Sequence, residues 1–163
     1  MTTARLDTLS VLLLDDHRFM QEVLRAILFG LGVKHVTSVG DVEEAVRVFE
    51  AKPFDIVITD YRLDGATGAD FVKRMRASRA DEDRFVPIIA CTADTTPRVV
   101  RELRDAGVDE VLGKPVSPHE IWVKLTAVVN SRRQFVTTPQ FFGPDRRRMS
   151  KAAPGAGERR KPR

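Results

Sequence analysis

Five short apolar runs, separated by longer segments of helical periodicity, occupy residues 9–132, and this alternation leaves few folds open. The runs are 9–14, 36–39, 54–59, 86–91 and 108–112, each four to six residues long and rich in Val, Ile or Leu. Runs of that kind suit strands buried on both faces. Between them, Phe19, Val23, Ile27 and Leu31 form a helical stripe, as do Val42, Ala45, Val46 and Phe49. Phe71, Val72 and Met75 predict a third helix, Val99, Val100 and Leu103 a fourth, and Ile121, Leu125 and Val128 a fifth. Strands and helices that alternate five times predict an α/β fold: a doubly wound, parallel five-stranded (βα)5 sheet with right-handed crossovers and helices on both faces.

The punctuation agrees. Gly30 and Gly32 suit the end of the first helix and Gly107 the end of the fourth. Asp41 is the expected N-cap of the second helix. Ser117, Pro118 and Glu120 give the fifth a capping-box start. Asp64 and Gly65 read as turn chemistry, and Gly68 as the start of the third helix.

The periodicity stops after Asn130. Residues 133–163 hold nine Lys/Arg against two acids, a formal charge of +7, so the +4 of the whole chain hides an acidic body of −3. Four prolines and three glycines in that segment predict a largely disordered tail. The division is thus 9–132 as a folded domain and 133–163 as a basic tail. The exception within the tail is 135–142, which carries three of the nine phenylalanines. The longest apolar run near the start, 11–14, is far short of a signal or membrane segment, so a cytoplasmic protein is expected. One cysteine, Cys91, excludes a disulfide framework and reads as a small buried hydrophobe.

Open parallel sheets bind ligands beyond the carboxyl ends of their strands. Here those ends carry Asp15 and Asp16, Asp60, Thr92, and Lys114 with Pro115. Any one of these is ordinary turn or cap chemistry, but three carboxylates, a hydroxyl and an ammonium at one edge are not. Clustered acids repel unless a cation sits among them, and hard oxygens without His or Cys suit Mg²⁺. The histidines at 17, 35 and 119 fall in separate elements without ligand spacing and read as solvated surface; Trp122 reads as core. No glycine-rich phosphate loop is present.

The motifs LLLDDHR, IVITDYRLDG, IIACTAD and VLGKPVS, in this order, resemble those of the response-regulator receiver domain, the phosphoacceptor module of two-component signalling. The resemblance covers residues 9–132. It implies a flavodoxin-like sheet of order 2-1-3-4-5 and a regulator rather than a dedicated enzyme, with at most Mg²⁺-dependent self-phosphorylation and autodephosphorylation. It implies that Asp60 takes a phosphoryl group from a histidine kinase or histidine phosphotransfer protein. Asp16, Asp60 and the backbone carbonyl of Arg62 would ligate Mg²⁺, with Asp15 acting through a water. Lys114 and Thr92 would meet the phosphoryl oxygens. Many relatives carry a switching aromatic three residues before the lysine; Val111 stands there, which leaves Thr92 without that partner. Arg62 and Asp94 flank the acceptor and are read either as a charge pair that slows phosphoryl loss or as two solvated side chains.

Two roles stand open for such a domain: a stand-alone phosphoacceptor that signals through a protein-binding face or relays phosphate, and a phosphorylation-independent scaffold. A haloacid-dehalogenase-type phosphatase wants a second Asp where Arg62 stands and is set aside. For the tail, three readings stand: a solvated extension with its aromatics laid on the domain, a partner motif anchored by Phe141 and Phe142, and a basic arm built on Arg146, Arg147 and Arg148 for nucleic acid or anionic lipid. The last is weakest, since the charges are few and no folded reader accompanies them.

Overall fold

The computed structural model describes residues 5–79, 81–130 and 134–145. Five parallel strands form the central sheet: β1 (Ser10–Leu14), β2 (His35–Val39), β3 (Ile56–Asp60), β6 (Ile88–Thr92) and β7 (Glu110–Gly113). Their order is β2-β1-β3-β6-β7, the 2-1-3-4-5 arrangement once two short interpolated strands are set aside. Those two, β4 (Arg62–Leu63) and β5 (Ala66–Thr67), make a small antiparallel ribbon after β3, turned at Gly65 with φ 71°.

Alternation along each strand feeds two separate cores. Leu12, Leu14, Val57, Ile88 and Ala90 face one side and meet α2 (Val42–Ala51), α3 (Gly68–Arg76) and α5 (Pro97–Ala106) through Phe49, Phe71 and Leu103. Val11, Leu13, Ile58, Ile89 and Cys91 face the other and meet α1 (Arg18–Gly30) and α6 (Pro118–Asn130) through Leu24, Leu28 and Leu125. Four consecutive side chains of β1 are therefore wholly buried. At roughly 1.5–3 kcal/mol for each large aliphatic group, that burial makes β1 the anchor of the sheet.

The helix ends follow from local chemistry. Asp41 Oδ1 accepts from the Glu44 N–H at 2.7 Å, and Ser117 and Glu120 form a reciprocal box that starts α6. Gly107 closes α5 in the left-handed conformation, φ 108°. Thr67 and Asp70 make a second capping box at α3, one the sequence analysis did not single out.

Several expectations are corrected. The third, fourth and fifth strands begin two residues later than the apolar runs, because Phe54, Val86 and Val108 are buried in the loops that enter them. Phe19 is 73% exposed: it sits in the first turn of α1, level with the loop after β1, where no strand residue remains to cover it. Trp122 is 46% exposed, one position off the buried Ile121–Leu125–Val128 stripe, and stacks on His119. A single short turn, α4 (Asp81–Arg84), precedes β6.

Part of the tail is folded. Strands β8 (Phe135–Thr138) and β9 (Phe141–Pro144) form an antiparallel hairpin. Phe135 and Phe142 pack on Phe85 with ring centroids 4.9 and 5.4 Å away. The Arg84 guanidinium lies 3.7 Å from the Phe142 centroid and that of Arg76 4.9 Å from the Phe135 centroid. Arg76 is itself buried; it donates to the carbonyls of Gly107, Arg84 and Val86 and pairs with Asp109 at 3.0 Å. Burial holds its guanidinium down at about 10, against the pull of Asp109. The hairpin thus packs beside the loops that enter β6 and β7. Residues 146–163, with Arg146, Arg147 and Arg148, lie outside the described residues.

Candidate functional site

The carboxyl ends of β1, β3, β6 and β7 bring the sequence-predicted groups to one edge. Asp15 follows β1, its N–H still paired with the Val39 carbonyl at 3.2 Å, and is 1% exposed. Asp60 is the last residue of β3 and is 7% exposed. Lys114 follows β7, held by its N–H to the Thr92 carbonyl at 2.8 Å; the Lys114–Pro115 peptide is cis. Its ammonium donates to Asp15 Oδ2 at 3.0 Å and to Asp60 Oδ2 at 3.1 Å.

The remaining carboxylate oxygens divide sharply. Asp15 Oδ1 accepts from the His17 N–H at 2.8 Å, and Asp60 Oδ1 from the Tyr61 N–H at 2.7 Å. Asp16 Oδ1, although shielded from solvent, accepts no hydrogen bond. His17 Nδ1 stands 2.7 Å from that oxygen without the alignment of a hydrogen bond. Ligand atoms of Asp15, Asp16, His17 and Asp60 all lie within 4.8 Å of one another. An oxygen that accepts no hydrogen bond, beside two buried carboxylates, fits a hard divalent ion such as Mg²⁺.

The local electrostatics are opposed and balanced. Burial raises the Asp60 carboxyl above its ordinary range, Lys114 pulls it down, and Asp15 pushes it up again. Burial works to lower the Lys114 ammonium, but Asp15 and Asp60 together outweigh it and leave it raised. The lysine therefore stays charged beside a carboxylate whose anionic form burial disfavours.

The end of β3 is held by a close backbone approach. The Gly68 N–H donates to the Tyr61 carbonyl at 2.7 Å, and a Cβ at Gly68 would come 2.0 Å from the Asp60 carbonyl oxygen. Only glycine allows that approach, so Gly68 does more than start a helix. Gln21, also missed in the sequence, ties α1 to the Asp15 and Val39 carbonyls at 2.6 and 3.1 Å. No sequence motif announces either contact.

Thr92 ends β6, buried, but its hydroxyl is engaged away from the acids. It accepts from the Asp94 N–H at 3.0 Å and donates to the Asp94 carbonyl at 3.3 Å. Val111 pairs in register with Ala90 and packs half-buried on the core beneath α5. At the mouth, Arg62 reaches across to Asp94 with nitrogen and oxygen 3.7 Å apart. The two flank a cleft of about 600 Å³ lined also by Ala93, Thr95 and Thr96. Hydrogen bonds from Thr96 lower the Asp94 carboxyl, and Arg62 adds to that. Phe142, weighed as a partner anchor, is turned onto the chain's own Phe85, and Phe141 borders Gly143.

Residues 11–126 match the family described as the response regulator receiver domain. The chain is 31% identical over 134 residues to the sensory/regulatory protein RpfC of Xanthomonas campestris pv. campestris, covering 82% of this chain and 18% of that protein. It is 27% identical to the chemotaxis protein CheY-3 of Vibrio cholerae, covering 74% and 91%. It therefore spans less than a fifth of RpfC but nearly all of CheY-3. Among solved structures, the receiver domain of the sensor histidine kinase PA1611 from Pseudomonas aeruginosa PAO1, with a magnesium ion coordinated in its active-site cleft, matches with a TM-score of 0.69 at 32% identity. That match covers 76% of this chain and 98% of that one. The response regulator CheY4 of Vibrio cholerae matches with a TM-score of 0.67 at 29% identity, covering 74% and 99%. Among the described residues, no helix is long and apolar enough to cross a membrane.

Proposed function

The chain belongs to the response-regulator receiver family, and on that premise we propose that Asp60 accepts a phosphoryl group from a phosphohistidine on a histidine kinase or phosphotransfer protein. One observation carries the reading: a single ammonium, Lys114, bridges Asp15 and Asp60 while an oxygen of Asp16 beside them has no hydrogen-bond partner. That is a pocket with one fixed positive charge and room for a second.

In the transfer, the Asp60 carboxylate attacks phosphorus. The P–N bond to the donor histidine breaks, a P–O bond to Asp60 forms, and the imidazole leaves. Such a step needs alignment and charge neutralisation more than covalent assistance. Lys114 supplies part of the neutralisation and holds Asp60 in place. Asp16, Asp60 and the Arg62 carbonyl would hold Mg²⁺, which when bound neutralises charge on the phosphoryl oxygens. Asp15 would act through a water, while its oxygens accept from the His17 N–H and the Lys114 ammonium.

The modified Asp60 gains acceptor oxygens that compete for the Thr92 hydroxyl now engaged with Asp94. Exchange of that bond moves the 93–96 loop and the start of α5. With Val111 in place of a ring, the switch runs through this loop rather than through a rotating aromatic. The output is a phosphorylation-dependent protein-binding face or onward relay. Phosphotransfer profiling against purified histidine kinases and phosphotransfer proteins tests this: rapid labelling of the wild-type chain by at least one, lost in Asp60→Asn, is expected. Labelling by none, or undiminished labelling of Asp60→Asn, overturns it.

A further inference from the structure

We propose that His17 is a further ligand of the divalent-cation pocket, so that an imidazole nitrogen joins its oxygens and tilts the site toward transition cations such as Co²⁺ and Ni²⁺. The inference rests on the reading of Asp15, Asp16 and Asp60 as a Mg²⁺ pocket, and adds a residue and a selectivity to it.

The geometry comes first. His17 Nδ1 lies 2.7 Å from Asp16 Oδ1 and 3.7 Å from Asp15 Oδ1. Around an octahedral ion with bonds of about 2.1 Å, ligand atoms stand about 3.0 Å apart when adjacent and about 4.2 Å when opposite. The ligand atoms of the four residues, all within 4.8 Å of one another, need shifts of only a few tenths of an ångström to reach that spacing. The nitrogen and the Asp16 oxygen approach this closely without an aligned hydrogen bond, and the oxygen has no other partner. The nitrogen and the oxygen are close enough for one cation to touch both.

Local structure keeps the ring in place and available. The His17 backbone is pinned by its N–H to Asp15 Oδ1 and by its carbonyl, which accepts from the Gln21 N–H at 3.0 Å. His17 occupies the N-cap position of α1, but its side chain makes no capping bond. The side chain is 70% exposed, so small adjustments of the ring meet little resistance.

The chemistry gives the selectivity. Mg²⁺ strongly prefers oxygen and gains little from imidazole, whereas Co²⁺ and Ni²⁺ gain substantially. Removal of the ring therefore separates the cations: His17→Ala weakens Co²⁺ on the order of tenfold, and Mg²⁺ several times less.

The test uses the full chain, with Mg²⁺ and Co²⁺ each titrated alone by calorimetry, and the proton NMR spectrum of the Co²⁺ form. The expected result is a fall in the Co²⁺-to-Mg²⁺ affinity ratio in His17→Ala. A far-downfield, exchangeable imidazole N–H resonance should vanish in that variant and persist in His35→Ala and His119→Ala. If Mg²⁺ and Co²⁺ bind, but the ratio and the resonance are indifferent to His17→Ala, the His17 assignment is overturned and the oxygen pocket stands. If neither cation binds the wild-type chain, the pocket itself falls and His17 with it.

Discussion

Lys114 and Asp60, 54 positions apart in the chain, meet at 3.1 Å, and the same ammonium reaches Asp15 at 3.0 Å. One cation thus ties the ends of β1 and β3 to the segment after β7. Without it, two buried carboxylates face each other. Replacement by a neutral side chain of similar length, Lys114→Met, is expected to cost about 2 kcal/mol in metal-free buffer, less than a fully buried pair because the side chain is partly exposed. Added Mg²⁺ should raise the melting temperature of this variant more than that of the wild type. Equal shifts in the two proteins would count against a shared electrostatic pocket.

The Arg62–Asp94 pair, 3.7 Å apart, flanks the cleft lined by Ala93, Thr95 and Thr96. A pair that screens the phosphorylated Asp60 from water predicts that Arg62→Ala and Asp94→Ala each speed phosphoryl loss a few-fold, with the double variant little faster than either single one, whereas two solvated side chains predict no change. Exposed pairs couple weakly, on the order of 0.2–1 kcal/mol, which bounds the effect. Decay of the isolated phosphoprotein measures it, and unchanged rates in both single variants would remove the idea.

The hairpin of 134–145 is expected to contribute to stability. Phe142→Ala removes the contacts with Arg84 and Phe85, and the loss is set at about 1–2 kcal/mol for a half-buried ring with a cation above it. Deletion of residues 134–163 should cost more. Urea unfolding of the three proteins checks this; a midpoint unchanged by the deletion would show that the hairpin does not hold to the domain.

Much of this was legible in the chain because its signals are local. Buried strands write themselves as runs of Val, Ile and Leu, and Asp41, Gly107 and Ser117 sit where helix ends require them. The carboxyl-end rule then collects Asp15, Asp16, Asp60, Thr92 and Lys114 without any coordinates. Contacts between distant segments left no such mark. Phe85 lies in an aperiodic stretch, so nothing paired it with Phe135 and Phe142. Arg76 reads as an ordinary basic residue in a last helical turn, yet it is buried among three carbonyls from two distant segments. Phe19 has the spacing of a core residue but lies beyond the sheet's edge, because periodicity fixes a face of a helix and not where its cover ends. His17 is exposed, as its position in the sequence predicts, but only the turn between β1 and α1 brings its Nδ1 to 2.7 Å from Asp16 Oδ1.

Cys91 is 1% exposed in β6, and burial pushes its thiol up to about 12. A raised value favours the neutral thiol, so near pH 8 the reactive thiolate is a minute fraction, on the order of one part in ten thousand. A thiol-specific chromogenic reagent should leave the native protein unlabelled over hours and react fully once urea unfolds it. Prompt native labelling would contradict the buried strand position.

The most direct measurement is intact-mass spectrometry of the chain incubated with acetyl phosphate, with and without Mg²⁺. The wild type should gain a single phosphoryl increment when Mg²⁺ is present, lose most of it when the ion is chelated beforehand, and show none in Asp60→Asn. An increment that survives Asp60→Asn, or one indifferent to Mg²⁺, would contradict the assignment of Asp60 as the acceptor in a cation-dependent pocket.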